Sequence, residues 1–204
     1  MKLLYSPTSP YVRKVTIVAM VTDLADAIER VTVAPHPLVP DRTLTTINPL
    51  GKAPTLICDD GTILYDSRVI IEYLDARTRA AKVIPPGDLR WKALARQALG
   101  DGILDAALLL RYEGLVREPA LQSHPWRRGQ EAKIDAALEV ATHQLAITNL
   151  EFDVGNIAIG AALGFLDFRL PELEWRLRHP ALANWFAAYD AQPIALATRP
   201  VSPI

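Results

Sequence analysis

Ser9 stands in the run Ser6-Pro7-Thr8-Ser9-Pro10-Tyr11, between a short apolar stretch and a longer one with helical spacing. A helix start presents N–H groups without intrahelical partners and a partial positive charge. Such an end favours an anion, a thiolate included. A hydroxyl at this place can donate a hydrogen bond to a thiolate and lower the thiol pKa, and Thr8 and Tyr11 carry further hydroxyls. Capping the helix is the plainer role for the same serine, and the one this segment alone favours. A second run, Asn48-Pro49-Leu50-Gly51-Lys52-Ala53-Pro54-Thr55-Leu56, puts a proline at the entrance to a β-rich stretch. A cis bond is accessible there. It would turn the N–H and C=O of Ala53 outward, where an extended peptide could pair with them as an added strand. An ordinary turn before a strand is the alternative. The third run is Tyr65-Asp66-Ser67-Arg68. Asp66 or Ser67 can cap the next helix. The same N–H groups and the Ser67 hydroxyl can instead hold a carboxylate, with Asp66 near enough for an ammonium. A site of both signs suits the α-amino-acid end of a small peptide.

Other polar groups carry weaker signals. Asp101 and Asp105 are spaced i, i+4, which puts both on one helix face, and a solvated face is the expectation for them. His36, His124, His143 and His179 have no ligand-like spacing, so surface or loop roles suffice. The sequence has no G-x-G-x-x-G, phosphate loop or G-x-S-x-G. No metal site is expected.

The elements that position these residues fall into two groups. Residues 2–6 read as a strand, 11–21 as a helix packed on a sheet, and 28–33 as a second strand. Pro35, Pro37 and Pro40 mark a crossover loop. Residues 54–58 and 62–65 are β-rich runs around Asp59-Asp60-Gly61, a hairpin signal. A helix over 67–78 follows, with Val69, Ile70, Tyr73 and Leu74 on one face. After Ile84-Pro85-Pro86-Gly87-Asp88 no convincing strand occurs, and residues 89–116, 124–150, 153–168 and 180–191 carry helical periodicity. The expectation is a small α/β domain over 1–79, a linker over 80–88 and an all-helical domain over 89–204.

Composition narrows the function. Half of the 204 residues are hydrophobic, enough for a substantial core, and the formal net charge is -1. No basic face argues for nucleic acid. Charges such as Asp101, Asp105 and Arg111 interrupt the apolar stretches, so no membrane span is expected. The one cysteine, Cys58, cannot form an internal disulfide, and the first residues lack a signal-peptide pattern, so a cytoplasmic protein is expected.

The ordered set SPTSPYVRKV, NPLGKAPTL and DGTILYDSRVIIEYL, followed by IPPGDLRWKALARQALGDGILDA and HPALANWFAAYDAQPIALATRP, resembles the cytosolic glutathione transferases over essentially the whole chain. The resemblance implies a thioredoxin-like domain (βαβαββα), then a helical bundle domain. It implies glutathione as co-substrate, a small hydrophobic electrophile and a homodimer. By position, Ser9 matches the serine that activates the sulfur in the serine-type classes. Ala53 and Pro54 match the residue and cis-proline that pair with the glutathione backbone, with Lys52 beside them. Asp66 and Ser67 match the pair that grips the γ-glutamyl group, and Arg68 an arginine that follows it. Asp105 resembles a helix aspartate that reaches the partner subunit's γ-glutamyl ammonium. Tyr11 and Tyr112 are candidates for the electrophile's pocket. Tyr5 falls roughly where tyrosine-type classes keep their hydroxyl and ranks below Ser9. Cys58 matches no catalytic position and reads as a small buried residue. The family's Ser/Thr-x-x-Asp box reads Asp153-Val154-Gly155-Asn156 here, and Gly155 is expected to weaken that helix start. Related folds also serve as non-catalytic binding or regulatory proteins, or as glutathione-dependent reductases and peroxidases. Reduction favours a cysteine near Ser9, where Pro10 stands instead.

Overall fold

Strand β1 (Lys2–Tyr5) runs through the middle of a four-stranded sheet of order β2-β1-β3-β4. It pairs parallel with β2 (Glu29–Thr32) and antiparallel with β3 (Thr55–Ile57), which pairs antiparallel with β4 (Ile63–Leu64). A parallel pair needs a crossover, and helix α1 (Pro10–Val21) supplies it. Helix α3 (Ser67–Arg77) packs on α1 and on β3. Its buried stripe is Ile70, Ile71 and Leu74, whereas Val69, expected on that face, is exposed. The two helices are also tied at their ends, where the Thr78 hydroxyl donates to the Thr22 carbonyl at 2.7 Å.

The proline-rich crossover holds a short helix, α2 (Arg42–Ile47), that the proline count had hidden. Asp41 makes it possible. Its carboxylate accepts from the N–H of Leu44 at 3.2 Å, capping the helix, and from the N–H of Ala34 at 2.8 Å, closing the loop on itself. Leu44 then packs with Leu4 and Val33, with Val31, Ile47 and Ala53 against them. Side chains alternate across a strand, so Leu3 and Leu56, paired in register, face the other way. The order βαβαββα is the one the family resemblance implied, and the hairpin turns at Gly61, whose φ is +84°.

This computed structural model describes residues 1–145 and 150–201, so 146–149 of the expected helix 124–150 lie outside the described residues. The second part is helical: α4 (Asp88–Val116), α5 (His124–Leu145), α6 (Val154–Arg169), α7 (Trp175–Arg178), α8 (Pro180–Asp190) and α9 (Pro193–Ala197). Packing divides the chain into two compact units at Pro85/Pro86, and the described residues from Ala197 group with the first unit rather than with the helical span 89–204. The linker is fastened before that point. The Asp75 carboxylate accepts from the N–H groups of Val83 and Ile84 at 2.7 and 3.1 Å, and both residues are buried.

Helix α6 is buried all round from Val154 to Leu166, as the central helix of the unit must be. Asp153 caps it, accepting from the N–H groups of Gly155 and Asn156 at 2.8 and 2.9 Å and pairing with Arg96. Asn156 donates its side-chain amide to the Glu151 carbonyl at 2.9 Å. Gly155 has a packing role at this start that its propensity did not suggest. A Cβ there would lie 2.6 Å from the Arg96 Cβ and 2.7 Å from the Ala93 carbonyl oxygen, so glycine is what admits α4 so close. Two other readings change. Asp101 is 5% exposed, so it does not share a solvated face with the exposed Asp105. His179 is buried, its Nε2 3.0 Å from Asp135, and is not a surface histidine. Among the described residues, no helix is long and apolar enough to cross a membrane.

Candidate functional site

The sheet register gathers the three runs. Leu4 lies opposite Thr55, so the chain leaving β1 toward Ser9 passes the residues entering β3, Ala53 and Pro54. Leu56 lies opposite Leu64, so the chain leaving β4 toward Asp66 and Ser67 emerges at that same end. Three stretches far apart in sequence thus share one end of one sheet, where α1 and α3 begin.

Ser9 caps α1, and its Oγ accepts from the Val12 N–H at a long 3.3 Å. That bond uses an oxygen lone pair and leaves the hydroxyl proton to donate elsewhere. Ser9 and Tyr11 are half-buried. One turn on, the ammonium of the fully buried Lys14 lies 5.2 Å from the centre of the Tyr11 ring.

The loop before β3 is held by Asn48, which is wholly buried. Its amide donates to the Lys52 carbonyl at 3.0 Å and to the Thr55 hydroxyl at 2.8 Å, and its oxygen accepts from the Leu50 N–H at 3.0 Å. Thr55 in turn donates to the Lys52 carbonyl at 2.9 Å. Gly51 takes φ +59° to close the turn. The Ala53–Pro54 bond is cis. Ala53 is half-buried and the Lys52 side chain is exposed.

Asp66 caps α3, accepting from the Arg68 N–H at 2.9 Å, while the Arg68 guanidinium meets its other oxygen at 3.2 Å. The Tyr65–Asp66 bond is also cis. Burial alone would raise the Asp66 carboxyl, but the Arg68 N–H, the Arg68 guanidinium and Lys14 together hold it below the ordinary 3.8. Asp66 is therefore a carboxylate at neutral pH, exposed and able to meet a cation, while Ser67 beside it is 2% exposed. Lys14, from the other helix, was not singled out by sequence. Its one signal was a cation inside an otherwise apolar helical face.

Tyr5 is half-buried, with the Arg30 guanidinium 5.8 Å from the centre of its ring. Cys58 is buried behind the hairpin, its N–H donating to the Thr62 carbonyl at 2.8 Å. The remaining candidates belong to the second unit. Asp105 is exposed on α4 and Tyr112, near the end of that helix, is half-buried, its phenol pushed up by burial against the pull of Arg111. Among the described residues, no three His, Cys, Asp or Glu side chains form a metal-binding group.

Comparison with known proteins bears on this arrangement. Residues 8–77 match the family described as glutathione S-transferase, N-terminal domain. The chain is 34% identical over 188 residues to the uncharacterized GST-like protein YibF of Escherichia coli (strain K12), covering 90% of this chain and 91% of that one. A glutathione transferase family member from Pseudomonas fluorescens Pf-5, solved with bound glutathione, is similar at 43% identity and a TM-score of 0.93, over 98% of this chain and 99% of that one. A second structure of a family member from that organism, with bound S-(propanoic acid)-glutathione, aligns at 42% identity and a TM-score of 0.88, over 99% of this chain and 100% of that one.

Proposed function

The chain belongs to the glutathione transferase family, and from that premise we propose that it binds glutathione at the gathered end of the sheet and transfers the glutathione sulfur to a small hydrophobic electrophile. The observation that carries this is the register that brings Ser9, Ala53 and Asp66-Ser67 to one end of the sheet. The glutathione backbone pairs with Ala53 as an added strand. Ser67 and the first N–H groups of α3 hold the γ-glutamyl carboxylate, and Asp66 holds its ammonium. Arg68 keeps Asp66 ionised and oriented, and Lys52 lends positive charge beside the peptide. The sulfur lies at the start of α1, where the Ser9 hydroxyl donates to the thiolate. Each unit by which the thiol pKa falls represents about 1.4 kcal/mol of stabilisation of the thiolate over the thiol. The thiolate attacks the electrophilic carbon, a C–S bond forms, and the leaving group departs with its electron pair. The relative that holds a glutathione thioether supports conjugation as the reaction.

Tyr112 is the second unit's candidate for the electrophile's site in this reading. The protein works as a cytoplasmic homodimer, in which Asp105 of one copy reaches the glutathione ammonium of the other. Calorimetric titration with glutathione tests the site, comparing wild type with Ser67→Ala. Saturable binding that the substitution weakens supports it. Absence of binding at millimolar glutathione overturns the enzyme and leaves a transferase-like fold kept for contacts with macromolecules. Ser9→Ala tests the chemistry: glutathione affinity is retained and conjugation falls about a hundredfold, the usual effect of losing one donor to a developing anion. Unchanged turnover removes Ser9 from the mechanism.

A further inference from the structure

Helices α4 and α6 run in the same direction and touch where both are small. A Cβ on Gly100 would lie 2.7 Å from the Ala158 carbonyl carbon, and Gly155, nearer the start of α6, meets Ala93 and Arg96, nearer the start of α4. Moving about three helical turns along each helix from the Gly100–Ala158 contact returns to the same faces. The residues met there are Arg111 and Arg169. The two guanidiniums act on each other electrostatically, and burial together with the Arg111 charge pulls the Arg169 guanidinium below its ordinary value. Both side chains are half-buried.

Two cations that face each other out of full solvent repel, and an acid between them would normally be expected. Among the described residues neither guanidinium has an ion pair or hydrogen bond; Arg169 lies over the Phe168 ring at 4.0 Å. The acids nearest in sequence are committed elsewhere. Asp167 holds Trp175 and Arg176, and Glu113 holds Arg117 and the Ser123 N–H. Tyr112, kept protonated by its burial, adds a neutral donor on the same turn as Arg111.

We propose that Arg111 and Arg169 form a binding site for the carboxylate of a small organic anion. Guanidinium forks match a carboxylate's two oxygens, and an arriving anion relieves the repulsion between the arginines. Because Tyr112 lines the electrophile's site in the reading above, and only on that reading, the pair makes the favoured electrophile an aromatic or aliphatic acid rather than a neutral hydrophobe.

The probe is 4-chloro-3-nitrobenzoate, set against its uncharged methyl ester. Both are titrated calorimetrically into the full chain without glutathione, so no bond is made. The acid binds at least about tenfold tighter than the ester, as expected for a charge-assisted contact. Arg169→Gln and Arg111→Gln each lower acid affinity about tenfold, leave the ester unchanged, and reduce the weakening by added salt. Equal affinity for acid and ester, no binding of the acid, or wild-type acid affinity in both variants overturns the proposal. Thermal melts by circular dichroism verify folding, and either variant suffices if the other does not fold. Failure to bind glutathione leaves this result standing and refutes only the transferase. With glutathione added, the thiolate displaces chloride from the ring, a C–S bond replacing C–Cl. The wild type then turns over the acid faster than the ester, and the variants lose that preference.

Discussion

Helix α1 in the first unit and helix α6 in the second both begin at a side-chain oxygen, but the two oxygens are committed to different degrees. Asp153 accepts two N–H groups at 2.8 and 2.9 Å and also pairs with Arg96, so little of its capacity is left. Ser9 accepts one N–H at 3.3 Å and keeps its proton. The first device fastens a buried helix, and the second leaves a hydroxyl proton uncommitted at a helix end. A cap residue therefore reads as functional when it caps weakly at a place where other backbone ends converge. It reads as structural when its oxygens are saturated.

Substitutions sharpen that contrast. The largest effect is expected inside the second unit. Gly160→Ala puts a Cβ 2.3 Å from the Tyr189 ring, which is fully buried and stacked on Trp185 at 5.0 Å, so neither side can yield. A loss of about 3 kcal/mol, read by urea denaturation, is the expectation for such overpacking. Asp153→Ala removes the saturated cap and strands Arg96, and about 2 kcal/mol is expected in the same measurement. Ser9→Ala removes the weak cap and should cost less than about 1 kcal/mol while lowering turnover. If Ser9→Ala destabilises as much as Asp153→Ala, the two caps are equivalent and the distinction falls.

The smallest effect concerns acid. Asp66 is held below its ordinary 3.8 in the folded chain, so its contribution to stability is fully present above that value and is lost as pH falls through the depressed one. Glutathione affinity at this group, measured by calorimetry, should stay level down to about pH 4 and weaken only below. A decline that begins near pH 6 would place a different group at the ligand's ammonium.

Much of the first unit was legible because its signals are local. Ser9 and Asp66 before apolar periodicity announce helix starts, Asp60-Gly61 announces a hairpin, and the prolines at 85 and 86 coincide with the boundary between the units. Helix α2 escaped because three prolines precede it, while its start depends on one aspartate that also reaches back to Ala34. Lys14 and His179 were misjudged or missed because residue type argues for exposure, and only packing buries them.

The sequence by itself determined where most of the longer elements lie and which residues carry hydroxyl, carboxylate and guanidinium groups, since turns, caps and periodicity act over a few residues. Tertiary structure alone decided that β1, β3 and β4 deliver Ser9, Ala53 and Asp66 to one place, because register is set by pairing between distant strands. It also decided that Gly155 sits at a close helix contact, and that Arg111 lies within electrostatic reach of Arg169. Both follow from how closely α4 and α6 approach, and no local propensity encodes that approach.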